Sequence, residues 1–274
     1  MTLTPVPELI LAAAPGGLGA FNVIALEHAE AIAAAAEAAK RPAILQISEN
    51  TARYRGGLKP LARACLQIAA DSTAPLAVHL DHATSHELIR TAVELGIESV
   101  MYDGSTLDYT ENVAQTARIV RWCHDRAVFM EAELGEVGGK DGAHAPGVRT
   151  DPDEAVAFVA ATGVDALAVA VGSSHAMHSR DAQLDDDMIA HLAAKVPVPL
   201  VLHGSSGVPD EGLRSAVQHG MTKINIATRL NIVLAQSIRA ELSAHPALSD
   251  PRKYIGPGRT AVQHEIEHLL RVLG

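Results

Sequence analysis

Short apolar runs alternate along the chain with longer, alanine-rich stretches of helical periodicity. Eight runs have the length and the Val, Leu and Ile content of buried strands, and they cover 20–24, 43–48, 76–80, 97–101, 127–133, 165–171, 198–203 and 222–226. A helix is predicted after each strand, at 27–40, 58–72, 85–95, 108–125, 152–162, 184–195, 209–219 and 227–243. Because repeated strand–helix units form parallel sheets, the pattern predicts an α/β fold, the (β/α)8 TIM barrel.

Additional helices are predicted at both ends of the barrel, near 6–14 and 258–272. The chain has 274 residues, of which 48% are hydrophobic and 3% aromatic, so a core of Ala, Val, Leu and Ile is expected. A length within roughly 200 to 400 residues suits one barrel. We therefore expect a single domain over 1–274.

Charge and cysteine content exclude several classes of partner. The formal net charge is -10 and basic residues do not cluster, which argues against nucleic acid or an anionic membrane as a partner. The N-terminal apolar segment is too short to span a bilayer and has no basic region before it. Cys65 and Cys123 lie far apart without metal-site spacing. A cytoplasmic protein is expected.

Histidines stand where three of the apolar runs end. VHLDH carries His79, Asp81 and His82, VGSSH ends at His175, and VLHGSSG carries His203. The carboxyl ends of barrel strands meet at one face, where active sites are built. Imidazoles from three strands predict a zinc site with open positions, beside a carboxylate placed for proton transfer.

The parity of the third strand limits which of its side chains reach that site. Regular alternation places Asp81 with His79 and opposite His82. Asp81 and His82 can both reach the site only if the pleat is broken at the strand end. His79 is expected to be a core residue or to support a metal ligand.

Three late turns are rich in glycine and small polar residues: 172–175 (GSSH), 203–208 (HGSSGV) and 225–228 (NIAT). Backbone amides and helix N-termini after the last strands form the usual phosphate pocket of this fold. A phosphorylated substrate is predicted.

Carboxylates form another group, with Asp103 after strand four and Glu131, Glu133 and Glu136 in EAELGE on and after strand five. Alternation places Glu131 and Glu133 together in the barrel interior. Buried acids need partners, and a metal, a monovalent cation, a second histidine nitrogen or a network with Asp103 would serve. The glycine-rich 135–151 that follows is predicted to be a lid.

The motifs AFNV, PAILQIS, HLDH, EAELGEVGGKDG, VGSSH, VLHGSSG, TKINIAT and DPRKYIGPGR occur in the order typical of one family. In these motifs the chain resembles the class II, metal-dependent ketose-bisphosphate aldolases of the fructose-bisphosphate and tagatose-bisphosphate type. The resemblance implies cleavage of a ketose bisphosphate to dihydroxyacetone phosphate and an aldehyde through a zinc-stabilised enediolate. It also implies one zinc ion per subunit and a homodimer or homotetramer.

The resemblance also implies roles for individual residues. His82, His175 and His203 would hold the zinc ion, with Glu133 close to it, and Asp81 would take the C4 hydroxyl proton. Asp103 and Glu131 would support the ligands. The predicted substrate-binding residues are Asn22, Ser48, Gly172, Ser173, Gly204, Ser206, Asn225, Ala227 and Thr228.

Three motifs depart from the family pattern. GGKDG stands where the family has GGEED or GGQED, so Asp141 or Glu136 would have to replace the lid glutamate. FNVIALE stands in place of FNVNNLE, and HAMHS in place of HGxY. These changes leave open a deoxy-ketose phosphate substrate or weakened turnover.

Other functions use the same fold. A Schiff-base aldolase would need a lysine on a barrel strand, and Lys223 is the candidate in place, although its surroundings are those of a phosphate loop and core. A barrel metal hydrolase would use the ligands to activate water, but the first strand lacks the histidine pair typical of such enzymes. A phosphate-binding protein without turnover is the remaining alternative.

Overall fold

The computed structural model describes residues 3–134, 149–174 and 177–274. Eight parallel strands form a closed barrel in chain order, β1-β2-β3-β4-β5-β6-β7-β8, which confirms the predicted architecture. The strands are β1 (Leu18–Asn22), β2 (Ala43–Ser48), β3 (Leu76–Ala83), β4 (Ser99–Tyr102), β5 (Phe129–Leu134), β6 (Ala166–Val169), β7 (Leu200–Leu202) and β8 (Met221–Ile226).

Each strand is followed by at least one helix in the described part of the chain. The helices are α1 (Val6–Ala13), α2 (Leu26–Ala39), α3 (Glu49–Tyr54), α4 (Lys59–Asp71), α5 (His86–Glu94), α6 (Tyr109–His124), α7 (Pro152–Thr162), α8 (Asp186–Lys195), α9 (Asp210–Gln218), α10 (Thr228–Ala244) and α11 (Arg252–Leu273). None of the helices within these described ranges is long and apolar enough to cross a membrane.

Two helices differ from the sequence prediction. The short α3 was expected to be loop; it begins after Ser48, whose Oγ accepts a hydrogen bond from Thr51 N at 3.2 Å. The terminal α11 begins at Arg252 rather than near 258, so the breaker run 256–258 (GPG) lies inside it. Packing of α11 along α2 and α10 stabilises the helix through that run, since tertiary contacts outweigh local propensity.

The lower half of the barrel is filled by apolar side chains. The leading helix α1 lies across the amino-terminal end of the strands and buries Val6, Leu9 and Ala13 in a cluster with Ala20 and Ile44. A second and larger apolar layer lies between the sheet and the outer helices. The amino-terminal end of the barrel interior is therefore apolar.

Candidate active site at the mouth of the barrel

The end of β3 is irregular, and this irregularity builds the site. His82 has φ +49°, the left-handed region that residues with a Cβ rarely adopt, and the β3–β4 register shifts between Leu80 and Ala83. Both Asp81 and His82 consequently face the barrel interior, with His82 Nε2 3.9 Å from Asp81 Oδ1. The strict alternation that would have separated them fails at this one position.

His82 and His203 lie against each other and against carboxylates. Their ring centroids are 4.6 Å apart in an edge-on arrangement. His82 Nδ1 lies 2.8 Å from Asp103 Oδ2, and His203 Nδ1 lies 2.9 Å from Glu133 Oε2. Asp103 is therefore placed to orient the His82 ring through Nδ1.

Glu131 contacts the other nitrogen of His203, with Oε1 3.1 Å from Nε2. Burial alone would lower the pKa of His203, but hydrogen bonds to Glu131 and Glu133 raise it to about 9. Burial alone would raise the pKa of Glu131, but Lys223 and the hydrogen bond to His203 lower it well below its ordinary value. The two carboxylates therefore favour the protonated ring, and a metal cation can take the place of that proton.

Asp81 is a buried carboxylate in a field of cations. Burial would raise its pKa, but His82, His203 and Lys223 lower it to about 2. Its Oδ2 accepts a hydrogen bond from Asn22 Nδ2 at 3.1 Å, while Oδ1 has no hydrogen-bond partner within the described residues. An ionised carboxylate with one oxygen bound and one bare is suited to accept a proton.

Two sets of side chains in the described ranges have ligand atoms close enough to share a metal ion. One is Asp81, His82 and His203, and the other is His82, Asp103 and Glu133, with the atoms of each set within 4.8 Å of one another. Imidazole nitrogens and carboxylate oxygens are the donors that zinc prefers when thiolates are absent. The residues present therefore fit a zinc ion.

Three residues of the prediction, namely His175, Glu136 and Asp141, lie outside the described residues. Most of the predicted lid, 135–148, also lies outside the described residues, as do GGKDG and the first two residues of HAMHS.

His79 and Lys223 lie below the candidate ligands. His79 is fully buried, with Nδ1 2.8 Å from Ser99 Oγ, and burial together with Lys223 lowers its pKa to about 3. A core residue or a support for a metal ligand was expected there. Lys223 Nζ lies 2.9 Å from Glu131 Oε2 and also donates to Gln46 Oε1 at 2.7 Å and Asn225 Oδ1 at 2.8 Å.

Lys223 thus donates to two amide oxygens and lies beside a carboxylate, so its amine is occupied by structural contacts and is not placed to form a Schiff base. Gln46 was not predicted as part of the site. The sequence signal that could have found both residues is a polar side chain at an inward position of an apolar strand, as in AILQIS and TKINI.

The predicted phosphate turns meet at the same end of the barrel. Gly204 has φ +68°, and a Cβ there would lie 2.7 Å from the Ser174 backbone, so only glycine allows the two turns to approach. Ser173 Oγ donates to the His203 carbonyl at 2.6 Å, and Ser206 Oγ accepts from Ala227 N at 3.2 Å.

Other residues of the predicted substrate site border these turns. Gly172 has φ +117°, Thr228 is the first residue of α10, and buried Asn225 has no partner for Nδ2 within the described ranges. On the neighbouring strands, Ser48 is in register with Asp81. The structure thus brings the described members of the predicted site together at the mouth of the barrel.

Comparisons with known proteins show the family of the chain. The family model of class II fructose-bisphosphate aldolase matches residues 8–274. Fructose-bisphosphate aldolases of Geobacillus stearothermophilus and Staphylococcus epidermidis are 39% and 37% identical, each over 100% of this chain and 98% of the relative.

Solved structures of aldolases are similar to this chain over nearly its whole length. The YdjI aldolase of Escherichia coli K12 superposes with a TM-score of 0.85 at 30% identity, over 100% of this chain and 98% of that one. The fructose-bisphosphate aldolase of Campylobacter jejuni, with a TM-score of 0.82 at 21% identity over 97% and 93%, shares the fold. The chain belongs to the class II fructose-bisphosphate aldolase family and is a carbon–carbon lyase.

Proposed function

We propose that this enzyme cleaves fructose 1,6-bisphosphate, tagatose 1,6-bisphosphate or a related ketose phosphate reversibly to dihydroxyacetone phosphate and an aldehyde. The observation that carries the proposal is the convergence of Asp81, His82 and His203 within one cluster at the mouth of the barrel. The phosphate turns at the same face and the names of the relatives support a phosphorylated sugar.

His82 and His203 are proposed to hold one zinc ion per subunit, together with His175, which the family resemblance adds. Glu133 lies beside both described imidazoles, 2.9 Å from His203 Nδ1 and 3.9 Å from His82 Nδ1, and is proposed as a further ligand. When bound, zinc supplies a Lewis acid that polarises the ketose carbonyl and accepts electron density as the carbon–carbon bond breaks. Asp103 and Glu131 orient the rings through their other nitrogens.

Asp81 is proposed to act as the base in cleavage. The bare Oδ1 takes the proton from the C4 hydroxyl as the C3–C4 bond breaks and the aldehyde leaves, and it returns that proton in condensation. Asn22 holds Oδ2, so the carboxylate presents a single oxygen in a fixed direction. The low pKa of Asp81 keeps it ionised at neutral pH.

The turns after β6, β7 and β8 are proposed to bind the phosphate next to the ketone. Gly172, Ser173, Gly204 and Ser206 would contribute amides and hydroxyls, and the α10 N-terminus adds its positive end at Ala227 and Thr228. Ser48 is proposed for the second phosphate, and Asn225 for a substrate oxygen.

The replacements in GGKDG and FNVIALE make a deoxy-ketose phosphate the alternative substrate. Asp141 and Glu136 stay proposals for the proton-exchanging acid of the lid.

A bound monovalent cation, a cytoplasmic location and a homodimer or homotetramer are further proposals. Assembly is supported by α10, in which Leu230 is the one buried residue and Leu242 is 37% exposed. Light scattering of the purified protein measures the number of subunits.

The experiment is Asp81→Asn, assayed with zinc against fructose 1,6-, tagatose 1,6- and deoxy-ketose phosphates. Because the amide cannot accept the proton, the turnover number is expected to fall by about 10² to 10⁴ while zinc stoichiometry is unchanged. The matched control is Asp125→Asn, at an exposed residue after α6. Full activity of Asp81→Asn would contradict the role given to Asp81.

A further inference from the structure

We propose that Lys223 sets the direction of a hydrogen-bond chain that ends on Asp81 and thereby positions the catalytic base. The inference rests on the aldolase function proposed above and concerns residues that do not themselves react. Lys223 lies on β8, and the other members of the chain lie on β1, β2 and β3, so the chain exists only in the closed barrel.

The chain has three links inside the barrel. Lys223 Nζ lies 2.7 Å from Gln46 Oε1, Gln46 Nε2 lies 3.0 Å from Asn22 Oδ1, and Asn22 Nδ2 lies 3.1 Å from Asp81 Oδ2. Lys223 and Gln46 are 1% and 0% exposed, so water does not compete at the first link. Every link has ordinary hydrogen-bond length.

The ammonium determines the direction of every later link, because it donates and cannot accept. Gln46 must turn its carbonyl oxygen to Lys223, which leaves its NH2 group for Asn22. Asn22 must then accept with its oxygen, which leaves its own NH2 group for Asp81. With either amide reversed, like groups would face each other at two of the three links.

A second amide is oriented in the same way. Lys223 Nζ donates to Asn225 Oδ1 at 2.8 Å, and the buried Nδ2 of Asn225 is left without a partner in the described residues. One ammonium thus presents two NH2 groups at the carboxyl end of the barrel. One holds Asp81, and the other is available to a substrate oxygen.

Glu131 supplies the counter-charge of Lys223. Its Oε2 lies 2.9 Å from Lys223 Nζ, and both side chains are buried. This ion pair holds the amine in place at the start of the chain.

The test variant reverses the direction of the hydrogen bonds and keeps the shape of the side chain at residue 46. Gln46→Glu is nearly isosteric, and beside Lys223 the new carboxylate stays ionised and only accepts. Asn22 must then donate to it and turn its oxygen towards Asp81, which loses its donor. We expect kcat to fall about 100-fold with unchanged zinc content.

Gln46→Met is the matched control, because it fills a similar volume and leaves Asn22 free to donate to Asp81. Its loss in kcat is expected to stay below about tenfold. If residue 46 only filled space or only paired with Lys223, Gln46→Glu would be the milder change. A smaller loss of kcat in Gln46→Glu than in Gln46→Met would overturn the proposal, provided that thermal unfolding shows both variants to be folded.

A readout independent of turnover comes from the side-chain amide signals of Asn22 and Gln46 in ¹⁵N–¹H spectra. In the wild type both NH2 groups are expected to exchange slowly with water, and the Asn22 signals are expected to move in Gln46→Glu. Rapid exchange in the wild type, or Asn22 signals unchanged in that variant, would overturn the proposal. An inactive wild type with protected amides would instead refute the proposed function alone.

Discussion

At His82 the backbone adopts a conformation that disfavours the residue it carries. A side chain at φ +49° costs roughly 1 kcal/mol relative to glycine at the same angle. The surrounding barrel enforces the angle, and the result is that two adjacent side chains, Asp81 and His82, both face the site. Strain of this kind is expected where a site needs a geometry that a regular strand cannot supply.

Zinc-free His82→Gly and His82→Ala test that strain. Both variants lose the imidazole, but glycine accepts the positive φ, so His82→Gly should have a free energy of unfolding about 0.5 kcal/mol above that of His82→Ala. Urea denaturation measures the difference. Ala114, an exposed residue within α6, is the control position, and there alanine should be more stable than glycine. Ala114→Gly is expected to lower the free energy of unfolding by about 1 kcal/mol. A more stable His82→Ala would show that residue 82 is unstrained.

At the scale of elements, the turns after β6 and β7 work as one unit. Their backbones meet at Gly204, and the Ser173 hydroxyl ties the first turn to the His203 carbonyl of the second. A metal-ligand candidate and a phosphate turn thereby share one rigid segment. Displacing that segment should affect substrate binding as well as stability.

Gly204→Ala makes this displacement. The added Cβ meets the Ser174 backbone at 2.7 Å, so we expect the melting temperature to fall by several degrees and KM for the ketose bisphosphate to rise at least about tenfold. Gly220→Ala is the matched control, with φ +119° and a clash with Ala193 at the opposite end of the barrel. It should lower the melting temperature and leave KM unchanged. Equal KM values for the two variants would refute a phosphate role for the Gly204 turn.

Sequence periodicity predicted the strands and most helices because both are set by local spacing of apolar residues. It missed α3, a two-turn helix without an apolar face of its own. It also began α11 at the GPG run, whereas tertiary packing extends the helix back to Arg252. Strand ends predicted where Asp81, His82 and His203 would meet. The bulge at His82 and the role of Lys223 depend on contacts between distant strands, which no local pattern encodes.

At the scale of the whole molecule, the barrel separates two tasks. Apolar side chains and α1 fill its amino-terminal half, and nearly all the buried charge collects in the other half, where it surrounds Asp81, His82 and His203. Such a cluster is costly in the absence of a metal cation, because Glu131 and Glu133 are buried carboxylates, and between them they raise the pKa of His203 and favour its protonated form. A zinc ion that replaces the proton should therefore stabilise the fold as well as enable cleavage.

The most direct test is the cleavage rate of metal-free enzyme titrated with zinc, using the ketose bisphosphate that the intact enzyme cleaves best. We predict negligible cleavage without metal and a linear rise that ends at one zinc ion per chain. The melting temperature should rise over the same range, and His82→Ala and His203→Ala should stay inactive at that zinc level. Full cleavage by the metal-free enzyme would contradict the account.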